Sequence, residues 1–498
     1  MLYWIKDKNF ERRNGVFMMR ENQKWMVVVA VLLGSFTMIL NNSMLNPAIP
    51  TFIDVFETDV VSAGWIITIF MVAMGMTVPV TGYLGDRFGK KRTYLIGLAL
   101  FVVGSIIGTF SWNLSSLITF RALQGIGGGI MMPLSMALIF EAFPKRERGL
   151  ATGVWGIASM MAPTIGPTIG GILLETTSWH YLFITNAPFG LIGLWFAWKY
   201  LPNTTPNRQV QFDKVGFFLV TLGVGSILFA FARMSSVADL THPTNLILLI
   251  VGIIWMYLFV KVEKQVQQPL LDLSLFRIPV YTYSILLTTI SSIGLFAGIF
   301  LIPLLIQQAF GLSAIVTGLV FLPSALFTGI FMTVGGRILD KKGAKGVITS
   351  GLLVLAVGTL VMGFMSIETS LAFIIFWMAI RGIGNGLSSM PSTTTGMNAV
   401  PDRLVSRGSA LNNVARQMSS AFAVVFISIF YEVRRGQIMT SSSTFSLEQA
   451  SVQAINEAFI FVGILTFLTI PIGYMLEKKS KEEDLKERKM EEKKQAVR

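Results

Sequence analysis

The chain has 498 residues, of which 53% are hydrophobic and only 13% charged, a balance that excludes a soluble globular protein of this size. The absence of cysteine, with His180 and His242 far apart as the only histidines, excludes disulfides, thiolate chemistry and a Cys/His metal or catalytic centre, so no cofactor is expected. The net charge of +13 raises nucleic acid as a partner, but of the 40 lysines and arginines only Arg233, Arg434 and Arg435 fall in predicted outer segments, and only Arg121, Arg381 and Arg416 inside spans. The rest mark the cytoplasmic side and face anionic lipid, so a nucleic-acid partner is not expected.

Residues 1–24 read as a cytoplasmic arm. Within it, Glu11-Arg12-Arg13 ahead of Met18-Met19 is either part of a basic arm begun at Met1 or a translated ribosome-binding sequence. Apolar runs of about 20 residues, long enough to cross the hydrocarbon core, follow along the whole chain. The first six are expected near Trp25–Leu45, Val61–Thr81, Thr93–Phe110, Leu117–Phe140, Leu150–Leu174 and Tyr181–Tyr200. The first is too long for a signal-peptide core and lacks a small-residue cleavage site, so it reads as an uncleaved helix. A polar linker, Leu201–Arg208, leads to two more spans near Val215–Ala232 and Asn245–Val260, within 212–262. Residues 263–279, with the apolar Leu270–Phe276, are expected to lie along the inner interface. Six further spans are expected near Tyr281–Gln307, Ala314–Gly335, Gly346–Met365, Leu371–Met390, Ser409–Tyr431 and Ala458–Leu476, before a solvated charged tail at 477–498. This is an all-α polytopic membrane protein of about fourteen spans, with both termini cytoplasmic.

The two outer sets of spans carry one pattern twice. Gly82-Tyr83-Leu84-Gly85-Asp86-Arg87-Phe88-Gly89-Lys90-Lys91 returns as Gly336-Arg337-Ile338-Leu339-Asp340-Lys341-Lys342-Gly343-Ala344-Lys345. Further on, Phe143-Pro144-Lys145-Arg146-Glu147-Arg148-Gly149 is answered by Val400-Pro401-Asp402-Arg403 and Arg407-Gly408. Duplicated halves in a membrane chain point to a transporter that rocks one half against the other around a central site. The halves are 25–201 and 280–476, with 212–262 inserted between them. Asp86, and Asp340 in the second copy, sit where a helix ends among basic residues. There they either pair locally or face a helix N-terminus of the other half, as a latch on one conformation.

These residues carry a resemblance. The Gly82–Lys91 loop is similar to motif A of the major facilitator superfamily. Arg121-Ala122-Leu123-Gln124-Gly125-Ile126-Gly127-Gly128-Gly129 resembles motif B, and Ala162-Pro163-Thr164-Ile165-Gly166-Pro167-Thr168-Ile169-Gly170-Gly171 resembles the antiporter motif C. Together they resemble the fourteen-span drug:proton antiporters of the QacA and EmrB type, over nearly all of 25–476. The resemblance implies a major facilitator fold of two six-helix bundles plus two extra helices. It also implies export of lipophilic, often cationic, compounds across the plasma membrane, a part in proton transfer for Arg121, and no enzymatic activity. Gly166, Pro167, Gly170 and Gly171 are expected to kink and smooth the fifth span where it packs against the other half.

The first span departs from the family. Many members carry aspartate at the position of Asn41, and an amide cannot titrate. None of the 27 acids falls deep in a span; Glu141, Glu175, Asp213, Glu432 and Glu457 lie near ends. Either one of these couples to protons, with Glu457 the leading candidate at the start of the last span, or coupling runs through the latch loops, or transport is not proton-driven. Asn41, Asn42, Asn46, Gln124, Arg381, Asn385 and Arg416 are expected to offer polar groups to substrate in the cavity. Methionines such as Met131, Met132 and Met136 suit both a promiscuous pocket and ordinary packing. The alternatives are an exporter of one metabolite, lipid or antibiotic, a sodium-coupled antiporter and, in another class, a non-transporting receptor or a membrane enzyme. The protein is expected to act as a monomer.

Overall fold

The computed structural model describes residues 10–13, 16–19, 21–207, 209–234, 237–344, 346–441 and 446–496. The two possible starts bear on the arm around Met1, most of which lies outside the described residues. A short hairpin pairs Phe10–Arg13 with Val16–Met19.

Among the described residues, fourteen helices are long and apolar enough to cross a membrane. They are α1 (Glu21–Val55), α2 (Ser62–Phe88), α3 (Lys90–Thr109), α4 (Leu114–Ala142), α5 (Lys145–Thr176), α6 (Tyr181–Tyr200), α7 (Lys214–Ala232) and α8 (Pro243–Glu263). The second set is α9 (Pro279–Ala309), α10 (Ile315–Lys342), α11 (Val347–Phe364), α12 (Leu371–Asn398), α13 (Asp402–Thr440) and α14 (Leu447–Glu483). Asn113 and Ser446 close capping boxes at the starts of α4 and α14, each satisfying amides that the helix itself leaves unpaired.

The helices are apolar nearly all round, as lipid contact on one side and packing on the other require. α7 packs on α8, α2 and α13. Trp65 of α2 meets Phe229 of α7 with ring centroids 4.8 Å apart, while Ile247, Ile250, Ile253 and Tyr257 of α8 are exposed along a face for lipid. No described residue of α7 or α8 lines the central cavity between the two six-helix groups.

Two expectations on boundaries change. The segment at 263–279 turns most of its leucines into the protein. Leu270, Leu271 and Leu275 are buried in the protein core, and Asp272 starts a short 3-10 helix, Leu273–Arg277, by accepting from the Ser274 amide at 3.0 Å. α13 runs on to Thr440, past the expected end at Tyr431, and α14 begins at Leu447, ahead of the expected start at Ala458.

Candidate functional site

A cavity of about 1080 Å³ lies between the groups α1–α6 and α9–α14. Its walls include Met38, Asn42, Phe70, Met132, Met136, Trp155 and Pro167 on one side. Thr288, Met332, Arg381, Asn385, Asn412 and Arg416 face it from the other. Asn46, Glu175 and Gln307 border it at the helix ends remote from Asp86 and Asp340.

The other end is shut by polar contacts across the two groups. Thr152 and Thr394 share a hydrogen bond of 2.8 Å, and Ser409 Oγ donates to Pro133 O at 2.7 Å. Beyond these lie the two latch acids. Asp86 pairs with Arg407 of α13 at 3.5 Å. Asp340 accepts the backbone amides of Gly149 (2.8 Å) and Leu150 (2.7 Å) at the start of the regular turns of α5. A carboxylate is stabilised there by two donors and by the helix dipole.

Arg121 is fully buried, with its donors met by neutral groups. Its Nε donates to Ile66 O (2.9 Å), Nη1 to Asn41 Oδ1 and Gln124 Oε1 (both 2.9 Å), and Nη2 to Asn42 Oδ1 (2.8 Å). Its guanidinium also lies 4.4 Å from the centroid of the Phe70 ring. A cation can be held in an apolar span when several acceptors replace its water.

This geometry revises the substrate set. Asn42, Asn46, Arg381, Asn385 and Arg416 line the cavity. Asn41 and Gln124 do not. Both are fully buried, Asn41 donating to Leu182 O (3.1 Å) and Gln124 to Ser105 Oγ (2.9 Å), so their polar groups are spent on holding Arg121.

The fifth span is corrected as well. Gly166 and Gly170 face Ser43 and Met44 of α1, within their own group, because their bare surfaces admit that backbone. Pro167 and Gly171 line the cavity. Contact with the other group is made nearer the closed end, where Gly149 meets Gly336 and Gly153 meets Met332 of α10.

Glu457 also leaves the candidate set. Both its carboxylate oxygens are held by Arg434, through Nε and through Nη2 (3.0 Å), and it does not line the cavity. It sits inside α14, which starts at Leu447, so the apolar run from Ala458 does not mark the helix start. The sequence reading missed Arg148, whose Nη2 reaches Phe140 O (2.7 Å) and Asp402 (3.5 Å) across the closed end. The paired loops around Pro144 and Pro401 were the available signal.

A bundle of this kind, with a central cavity and a repeated acid loop at its closed end, is that of a membrane transporter. The chain belongs to the Major Facilitator Superfamily, which it matches over residues 31–424. It is 32% identical to the MFS-type transporter YcnB of Bacillus subtilis, over 91% of this chain and 95% of the relative. It is 29% identical to the lincomycin resistance protein LmrB of Listeria monocytogenes, over 89% of this chain and 96% of the relative. Among solved structures, a double-Trp mutant of XylE shares the fold with a TM-score of 0.65 at 14% identity, covering 92% of this chain and 98% of that one. The protein is therefore a multi-pass membrane transporter.

Proposed function

We propose that this transporter exports lipophilic small molecules across the plasma membrane by alternating access, acting as a monomer with the latch end and both termini in the cytoplasm. The observation that carries the reading is the cavity of about 1080 Å³, large and mostly apolar, shut at the basic end and bordered by Asn46, Glu175 and Gln307 at the other. A relative named for lincomycin resistance supports export of a toxic compound.

Coupling to protons through the latch acids fits the arrangement best. Asn41 has no proton to exchange, Glu457 is tied to Arg434, and the one carboxylate among the described lining residues is Glu175 at the mouth. Protonating Asp86 or Asp340 weakens a contact that shuts the cytoplasmic end, which links proton occupancy to the conformational change.

Expression in a pump-deficient bacterial host, challenged with a broad panel of toxic compounds, tests the reading. Resistance to some compounds, lost in the Asp86→Asn/Asp340→Asn double variant, is expected. An unchanged panel with well-expressed protein would refute drug export. Substrate-induced proton release from inverted vesicles tests coupling, and its absence removes the proton from the scheme.

A further inference from the structure

The lining expected from the family likeness is one suited to cations, yet the fixed charge in the depth of the cavity is positive. Arg381 and Arg416 both line it, and neither has a carboxylate within ion-pair distance among the described residues. Glu175 lies at the far end of α5, roughly 34 Å along the helix from Thr152 at the closed end.

The two arginines are held differently. Arg381 is secured by neutral acceptors: Nε donates to Thr359 Oγ1 (3.1 Å) and Nη2 to Gly294 O (3.0 Å), with the Phe459 ring centroid 5.3 Å from its guanidinium. Among the described residues, Arg416 has one hydrogen bond, from Nη2 to Asn413 Oδ1 at 2.7 Å. Asn413 is itself fixed by donating to Ser409 O at 2.9 Å. The arginine is thus aimed by a neighbour while the rest of its fork stays open to the cavity.

A second donor stands on the same face. Asn412, one helical turn before Arg416, also lines the cavity, and its Nδ2 is buried with no acceptor. Asn412 is only 6% exposed, so water reaches it poorly, and a buried donor left unmet is costly. An open guanidinium and an unmet amide, side by side on one wall, ask for an acceptor that carries negative charge. A planar fork suits the paired oxygens of a carboxylate, sulfonate or phosphate. The facing wall, with Met132, Met136 and Trp155, suits an apolar or aromatic body.

We propose that the cavity selects amphipathic organic anions, with the anionic group seated on Arg416 and Asn412, Arg381 adding positive potential, and the apolar body against the methionine wall. This deepens the transport reading and rests on it. It replaces the expectation of a cationic substrate, because an ammonium group would meet two arginines and no acid in the depth of the site.

Three probes sharing one ring separate charge from lipophilicity: 1-naphthylacetate, 1-naphthylacetamide and 1-naphthylmethyl-trimethylammonium. Binding to the full chain in nanodiscs, read by tryptophan quenching or calorimetry, is expected to favour the anion by about tenfold or more, as one charge-assisted contact allows. Arg416→Gln should bring the anion within about threefold of the amide, whereas Arg416→Lys, which keeps the charge, should retain part of the preference. Monodisperse variants with unchanged amide binding exclude misfolding as the cause. Tightest binding by the ammonium compound, no binding by any probe, or an anion preference that survives in the Arg416→Gln/Arg381→Gln double variant would each overturn the proposal. Counterflow of the same probes in proteoliposomes tests transport separately. Counterflow with a cation preference sinks only the anion assignment, and anion-selective binding without counterflow sinks only the transport reading.

Discussion

The two latch loops share a sequence pattern but hold the closed end by different means. In the first, Asp86 meets the side chain of Arg407 at 3.5 Å. In the second, Asp340 meets the amides of Gly149 and Leu150 at 2.8 and 2.7 Å. The cause lies in the answering arginines. Arg407 turns to Asp86, whereas Arg148 donates from Nε to Phe143 O (3.0 Å) and from Nη2 to Phe140 O (2.7 Å) and reaches Asp402 (3.5 Å) and Asn398 Oδ1 (3.3 Å) of the other group rather than Asp340. With Arg148 engaged on Asp402 and not on Asp340, the amides at the helix start are what Asp340 meets. One latch depends on charge, the other on backbone geometry and close packing. The buried arginines of the two halves divide similarly, Arg121 being sealed in its own group and Arg381 turned to the cavity.

The largest effect that would sharpen this comparison is expected from the arginines. Arg121→Ala removes a side chain whose loss orphans acceptors on Ile66, Asn41, Asn42 and Gln124. It should cost about 3 kcal/mol or more of stability and abolish transport. Arg381→Ala should lower substrate affinity with a smaller fall in Tm, and equal losses of Tm in the two variants would erase the distinction.

Next come the glycines of the answering loops. A methyl added at Gly149 would lie 2.5 Å from Gly336 O and 2.6 Å from Asp340 Oδ1, whereas one at Gly408 meets only Val400 and Leu275, at 3.4 Å and beyond. Gly149→Ala should therefore wedge the closed end apart, and Gly408→Ala should leave it shut. Because the chain has no cysteine, a single thiol placed at Ser389 on the cavity wall is a clean reporter. Faster maleimide labelling from the latch side is expected in the first variant alone.

A smaller difference separates the acids. Asp340→Asn leaves one backbone amide without an acceptor and should shift the closed–open balance by about 1–3 kcal/mol. Asp86→Asn keeps an acceptor for Arg407 and should shift it by about 1 kcal/mol or less. Equal labelling of the two variants would mean that both latches work alike. The smallest effect is that of salt. Raising ionic strength from about 0.1 to about 1 M should loosen the parent latch slightly and have a smaller effect in Asp86→Asn, where the Arg148–Asp402 pair remains.

Much of this was legible from the residues alone. The apolar runs gave the spans because a bilayer demands their length, and the repeated Asp86 and Asp340 marked two places where the halves meet. What was lost depended on direction around a helix or on a distant partner. Asn42 and Asn46 lie one turn apart on a shared face and both reach the cavity, while Asn41, rotated from that face, points at Arg121. Glycine spacing at Gly166 and Gly170 announces close approach without saying by which helix, and the neighbour is α1. Glu457 was misread because a run of apolar residues from Ala458 hides a helix already capped at Ser446, and nothing local signals Arg434 as its partner.

An anionic cargo seated on the cavity arginines, as proposed above, would set the electrical sign of the cycle. A carrier that expels a monoanion and admits one proton moves two elementary charges in the same sense. An inside-negative membrane voltage of about 100 mV then drives each turnover with roughly 4.6 kcal/mol in addition to the proton gradient. Exchange of a monovalent cation for a proton would gain nothing from that voltage. In proteoliposomes at equal pH on both faces, a potassium diffusion potential alone should therefore start or stop transport, and the sign that starts it reports the charge of the cargo.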